Sequence, residues 1–217
     1  LFETMRSYNG VVFRVEDHLD RLYRSAEALN FPVTQPREEL SGWIDALLEA
    51  NGLRDARLRL TVTRGNLHDI KEDGSPATTL FITATKMTPY PPELYQRGMA
   101  VIISGYKQNP HDPIAGHKTT NYLSRLIALQ EAQRKGAGEA LWFTTTNRLA
   151  EGSISNVFIV EGDCLVTPPL DTPVLDGVTR RVVCELAEEN GISVRQEPVV
   201  ISELLSANEV FLTNSIM

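Results

Sequence analysis

His117-Lys118-Thr119-Thr120-Asn121-Tyr122-Leu123 is the stretch on which the reading of this chain turns. Lys118 stands between a polar loop with proline and glycine, residues 107–116, and the start of a helix expected over residues 121–135, closed by Gly136 and Gly138. Most lysines belong to solvated surfaces, but this one is flanked by hydroxyl side chains and lies outside any run of charge. A second segment follows, Leu149-Ala150-Glu151-Gly152-Ser153-Ile154-Ser155-Asn156-Val157-Phe158, which carries a carboxylate among small residues. A third, Gly177-Val178-Thr179, precedes a helix expected over residues 179–190, so its amides and the helix dipole favour an anion. Taken without other information, Glu151 reads as an exposed turn residue and Thr179 as a plain N-cap.

Working outward, periodicity divides the chain. Asp17 can cap a helix whose apolar positions Leu19, Leu22, Ala26 and Leu29 recur at helical spacing, ended by Phe31-Pro32. A second helix follows Pro36, with Leu40, Ile44 and Leu47 inward and Asn51-Gly52 as its stop. Residues 56–64 alternate strictly: Leu58, Leu60 and Val62 on one face, Arg57, Arg59, Thr61 and Thr63 on the other. Residues 79–85 form another strand. Met87-Thr88-Pro89-Tyr90-Pro91-Pro92 cannot continue a ladder and marks the boundary. It separates an N-terminal domain at 1–86 from a linker at 87–97 and a C-terminal domain at 98–217. Beyond the linker, strands are expected at 99–104 (buried), 139–146, 156–160, 164–167, near 194–200, and at 209–213, with Gly162 turning a hairpin and Gly191 capping the last helix. Helices and strands mix without a strict βαβ rhythm, so the expected class is α/β with mixed sheets in two lobes.

Composition excludes several roles. The chain has 217 residues, 42% hydrophobic and 23% charged, as ordinary globular proteins do. A net charge of -7 and a pI near 5.2 argue against nucleic acid, which requires a basic footprint. No stretch is apolar enough to span a bilayer, and no signal peptide is seen. Two cysteines, Cys164 and Cys184, suit a reducing cytoplasm better than a disulfide framework. His111, Asp112 and His117 are loop residues at irregular spacing without a fourth ligand, so no metal site is expected. Gly152-Ser153-Ile154-Ser155 lacks the second glycine of a nucleophile elbow.

A lysine for a Schiff base, a carboxylate for a ring nitrogen and a phosphate cradle are what pyridoxal 5'-phosphate requires of a protein. With these motifs in this order, the chain resembles the fold-type IV pyridoxal-phosphate enzymes, among them branched-chain and D-amino-acid aminotransferases and aminodeoxychorismate lyase. The resemblance runs from Leu1-Phe2-Glu3-Thr4 to Leu212-Thr213-Asn214-Ser215. It implies a homodimer. It also implies a chain lacking a short N-terminal segment and a longer C-terminal one.

The resemblance assigns Lys118 to the cofactor aldehyde and to proton transfer, and Glu151 to the ring nitrogen. Arg21 (in His18-Leu19-Asp20-Arg21-Leu22), Gly177, Val178, Thr179 and Ser215 go to the phosphate. Tyr122, four residues after Lys118 and so about one helical turn away, reaches the ring oxygen or is a half-buried core tyrosine.

The substrate side is where the family divides. Phe2 stands where D-amino-acid enzymes carry a carboxylate-binding tyrosine, and Asn66-Leu67-His68-Asp69 replaces their later arginine and histidine. Arg6 and Arg59 match arginines of the branched-chain enzymes, whereas Thr4 matches the proton-transfer threonine of the lyase, and the Thr213-Asn214-Ser215 ending is lyase-like. The lyase's later arginine is missing. The expected activity is therefore transfer of an amino group from an L-amino acid, branched-chain or similar, to a 2-oxo acid. Elimination of pyruvate from 4-amino-4-deoxychorismate is the alternative, and a non-catalytic binder of the cofactor or a metabolite comes third.

Overall fold

Strict alternation over residues 56–64 becomes β3 (Ala56–Thr63), one of the two inner strands of a four-stranded antiparallel sheet. β1 (Phe2–Tyr8) and β2 (Val11–Val12) meet through Asn9-Gly10, both at positive φ (52° and 89°), as a two-residue hairpin turn requires. β4 (Thr79–Lys86) pairs with β3 along its whole length. Leu58, Leu60 and Val62, with Met5 from β1, pack on α1 (Val15–Ala28) and α2 (Arg37–Ala50) in one core that includes Leu19, Leu22, Leu40, Ile44 and Leu48. Paired residues share a face, so the opposite face of β1 and β3 carries Phe2, Thr4 and Arg6 beside Thr61, Arg59 and Arg57.

The computed structural model describes residues 1–30, 33–65 and 78–217. These divide into one unit of Leu1–Pro89 with Lys118–Thr120 and Ile216, and a second of Tyr90–His117, Asn121–Ser215 and Met217. The second begins with α3 (Pro92–Arg97) and holds two sheets. In the first, β5 (Val101–Gln108) runs parallel to β6 (Glu139–Thr144), which pairs antiparallel with β7 (Leu149–Gly152). In the other, β8 (Asn156–Glu161) and β9 (Cys164–Thr167) form the expected hairpin, flanked by β10 (Ser193–Gln196) and β11 (Glu209–Thr213). α4 (Leu123–Arg134) packs its small Ala128 and Ala132 against Ala140 and Trp142 of β6, and α5 (Val178–Glu189) and α6 (Ile201–Ser206) complete the unit.

Several local expectations are corrected. α1 starts from a left-handed Arg14 (φ 54°), and Asp17 lies in its first turn, serving the dipole and pairing with Arg14 rather than capping. Phe31-Pro32 and Asn66-Leu67-His68-Asp69 lie outside the described residues. Leu48, not Leu47, completes the inward row of α2, since Leu40, Ile44 and Leu48 recur every four residues. β5 is an edge strand, not a buried one: Ile103 is 47% exposed, and the strand extends through Gln108 into the expected loop. β10 stops at Gln196, short of the expected end at Val200; residues 197–200 form no strand and lead into α6, the Val200 N–H donating to Glu203 at 2.7 Å.

Candidate active site

Lys118 is anchored by its backbone: the Phe2 N–H donates to its carbonyl at 3.0 Å. Its ammonium lies 4.6 Å from the centroid of the Phe2 ring, and the Arg59 guanidinium lies 3.8 Å from the same ring. The buried phenyl of β1 is thus a platform for two cations. Thr4 pairs with Arg59 across β1 and β3, and the Arg59 Nε donates to the Thr61 hydroxyl at 3.4 Å. Arg6 donates to the Ile216 carbonyl at 3.3 Å and stacks over Tyr8, with its Nε buried and without a partner among the described residues.

The reverse face of β1 holds a buried charge cluster. Glu3 accepts from Arg21 Nε at 2.9 Å and Arg21 Nη2 at 2.5 Å, a bidentate fork, and its second oxygen meets His18 Nδ1 at 2.8 Å. Burial alone would push the Glu3 carboxyl up, but the Arg21 charge and the bonds from His18 and Arg21 overcome it and hold the pKa at about 2. Burial holds His18 below its usual range, against the pull of Glu3. His-x-x-Arg on α1 places His18 and Arg21 one turn apart; Glu3 as their partner was not apparent from the sequence.

In the second unit Glu151 lies on β7 with 6% of its surface exposed, so the exposed-turn reading is overturned. Its Oε1 accepts from Arg125 Nη2 at 2.6 Å and its Oε2 from the Leu175 N–H at 2.9 Å. The following loop wraps a second carboxylate. Glu139 accepts from the N–H groups of Ala140 (2.9 Å), Ser153 (2.9 Å) and Ile154 (3.2 Å) and from the Ser155 hydroxyl (2.8 Å). Trp142 Nε1 donates to the Ser153 hydroxyl at 3.0 Å, and the Tyr122 phenol to the Ser153 carbonyl at 2.9 Å. No helical turn joins Lys118 to Tyr122, because α4 begins at Leu123 with Tyr122 as its N-cap. Glu139, Arg125 and Trp142 carried no signal in the sequence; the roles of Glu139 and Trp142 arise from the pairing of β6 with β7, and that of Arg125 from the placement of α4 beside β7.

From Leu175 the chain leads to the N-terminus of α5. Gly177, not Thr179, is its N-cap, so the plain N-cap reading of Thr179 falls; Val178 and Thr179 open the first turn. A Cβ on Gly177 would lie 1.9 Å from Asn156 Oδ1, so only glycine permits this approach, and Asn156 Nδ2 donates to the Leu175 carbonyl at 2.9 Å. Thr213 faces Asn156 across β8 and β11, with its hydroxyl buried and unpartnered among the described residues. Half-buried Ser215 lies two residues beyond. The first-turn amides of α5, which have no partner within the helix, and the buried Thr213 hydroxyl fit a phosphate group. The acceptor capacity left on Glu151 fits a protonated ring nitrogen, since each carboxylate oxygen has two lone-pair sites.

A family model described as amino-transferase class IV matches residues 1–217. A putative branched-chain-amino-acid aminotransferase of Methanocaldococcus jannaschii is 38% identical over 99% of this chain and 74% of its own length. A D-alanine aminotransferase of Bacillus licheniformis is 32% identical over 99% of this chain and 75% of its own. The crystal structure of 4-amino-4-deoxychorismate lyase from Pseudomonas aeruginosa superposes with a TM-score of 0.89 at 29% identity, covering 100% of this chain and 79% of that one. The chain belongs to the class IV aminotransferase family, and its mixed α/β architecture is that of the fold-type IV pyridoxal-phosphate enzymes. The family implies an enzyme using pyridoxal phosphate. No described helix is long and apolar enough to cross a membrane.

Proposed function

We propose that this chain transfers the amino group of an L-amino acid, branched-chain or similarly apolar, to a 2-oxo acid, with pyridoxal phosphate as cofactor. The observation that carries the reading is the Phe2 platform, which sets the Arg59 guanidinium and the Lys118 ammonium against one apolar ring. A carboxylate receptor beside a reactive amine, with an apolar surface between, suits an amino acid with an apolar side chain.

When bound, pyridoxal phosphate supplies an electron sink that stabilises a carbanion at the substrate α-carbon. Lys118 would hold the cofactor through its aldehyde, and its amine would serve as the base for the proton at the substrate α-carbon. Glu151 would hold the proton on the ring nitrogen, and Tyr122, turning its phenol from the Ser153 carbonyl, would steady the ring oxygen. Gly177, Val178, Thr179 and Ser215 bind the phosphate, with Arg21, oriented by Glu3, as its counter-charge. Arg59 and Arg6 orient the substrate carboxylate. The resemblance further supports a homodimer, and the two cysteines a cytoplasmic setting.

Thr4, paired with Arg59 on the same face, favours the lyase as second reading. Purified protein should be yellow, and borohydride should fix cofactor mass on Lys118. L-leucine, L-glutamate, L-alanine and D-alanine are then supplied separately as donors. With transamination, an L-donor alone removes the visible absorbance and 2-oxoglutarate or pyruvate restores it, giving ping-pong kinetics. Pyruvate released from aminodeoxychorismate without an acceptor, and no response to donors, selects the lyase. A response to D-alanine alone reverses the stereochemical assignment.

A further inference from the structure

Arg125 is the third residue of α4, half-buried, with both ends of its fork engaged by consecutive residues of β7. Nη2 donates to Glu151 Oε1 at 2.6 Å and Nη1 to the Gly152 carbonyl at 3.0 Å, while the guanidinium lies 5.3 Å from the centroid of the Trp142 ring. A fork joining a carboxylate to the backbone one residue on sets that carboxylate against its own strand. A single ammonium cannot do this, because it lacks the planar pair of donors. The Leu175 N–H takes the other oxygen at 2.9 Å, so the carboxylate cannot rotate without breaking a bond. The indole beside the guanidinium is itself tied to Ser153 at 3.0 Å, which carries the restraint into the loop held by Glu139.

We propose that Arg125 is a positioning residue acting through Glu151: it fixes the carboxylate and draws on its charge, and so sets how tightly Glu151 retains the proton of a bound pyridine nitrogen. This rests on the cofactor reading above and deepens it. A cation beside the carboxylate competes with the ring for the same negative charge. Removing the cation leaves a stronger acceptor, and the ring nitrogen then keeps its proton to higher pH.

The test loads the protein with pyridoxal phosphate labelled with ¹⁵N in the ring and follows the nitrogen resonance through a pH titration. Wild type is compared with Arg125→Met, Arg125→Lys, Glu151→Gln and Arg125→Met/Glu151→Gln, with the thermal midpoint of each recorded. In Arg125→Met the ring nitrogen should lose its proton about one pH unit higher than in wild type. Arg125→Lys should return it part of the way, and in the Glu151→Gln background Arg125→Met should move it no further. Arg125→Lys retains the charge, so its titration reads the proposal even where Arg125→Met fails to fold. Its coincidence with wild type would then overturn the role of the fork. An unmoved resonance in folded Arg125→Met overturns the proposal, as does a shift that persists in the double variant. Wild type that takes up no cofactor, judged by borohydride-fixed mass, overturns the cofactor reading and this inference together. Uptake with an unmoved titration overturns this inference alone.

Discussion

Glu3 and Glu139 are each 1% exposed, yet they are held by opposite means. Glu3 sits among ionisable side chains, met by Arg21 through two bonds and by His18 through a third. Glu139 is met by three backbone amides and one hydroxyl. An ion pair of the first kind must offset the desolvation of two charges, and its net value is modest even though breaking it is costly. An amide cage uses donors that already belong to the fold and would otherwise lie buried without acceptors. In this molecule the caged carboxylate orders a loop, Gly152 to Ser155, whereas the paired one orders side chains on a strand and a helix.

The largest effect should therefore come from the cage. Glu139→Leu strips acceptors from three amides and the Ser155 hydroxyl, and should cost on the order of 5 kcal/mol, measured by urea unfolding. A cost below that of Glu3→Gln would reverse the comparison.

The paired carboxylate should reveal itself through pH. Glu3 is lowered from 4.5 to about 2 in the folded chain, so it contributes stability that is fully present above 4.5 and is lost as pH falls through about 2. The contribution is roughly 3 kcal/mol by linkage. His18, also lowered, acts in the same sense, contributing above its unfolded value of 6.5 and losing that stability as pH falls below it. Denaturant midpoints across this range should decline steadily for the wild type and much less for Glu3→Gln; parallel declines would remove Glu3 as the cause.

The smallest effect tests how tightly the loop closes on its cage. A Cβ on Gly152 would lie 2.2 Å from the Ser155 hydroxyl and 2.9 Å from Glu139 Oε2, the donor and acceptor of one hydrogen bond. Gly152→Ala should cost about 2 kcal/mol and lower turnover by displacing Glu151. An unchanged thermal midpoint would show that the loop has slack.

The same contrast explains what the sequence made legible. Alternation over β3 predicted its two faces correctly, because regular pleating alone decides them. β1 went unread as a strand because Glu3 and Ser7 sit at inward positions, and a buried ion pair breaks the apolar alternation. α4 keeps Leu123, Leu126 and Ile127 exposed while burying alanines, so side-chain hydrophobicity points away from its packed face. Gly162 and Gly191 marked turns that need positive φ, and both have it. The surroundings of Glu151 were illegible: Arg125 and Leu175 reach it across 26 and 24 positions of sequence and Glu139 reaches its loop across 14, and only the packing of α4, β6 and the segment before α5 around β7 brings them together. The names of relatives, spread over aminotransferase and lyase, repeat the ambiguity already present in Thr4, Arg6 and Arg59.

Trp142 has a further use. Of the two tryptophans in the chain it is 5% exposed, and Trp43 is 41% exposed. Its indole nitrogen is bonded to Ser153 in the caged loop, and its ring lies beside Tyr106 and Arg125. A buried indole emits to the blue and is shielded from soluble quenchers, so Trp43, the more exposed, should emit further to the red and be the more readily quenched. Iodide can therefore silence one fluorophore and leave the other. The remaining light comes from the wall of the Glu151 loop, which makes the protein its own optical gauge of whether that loop is closed.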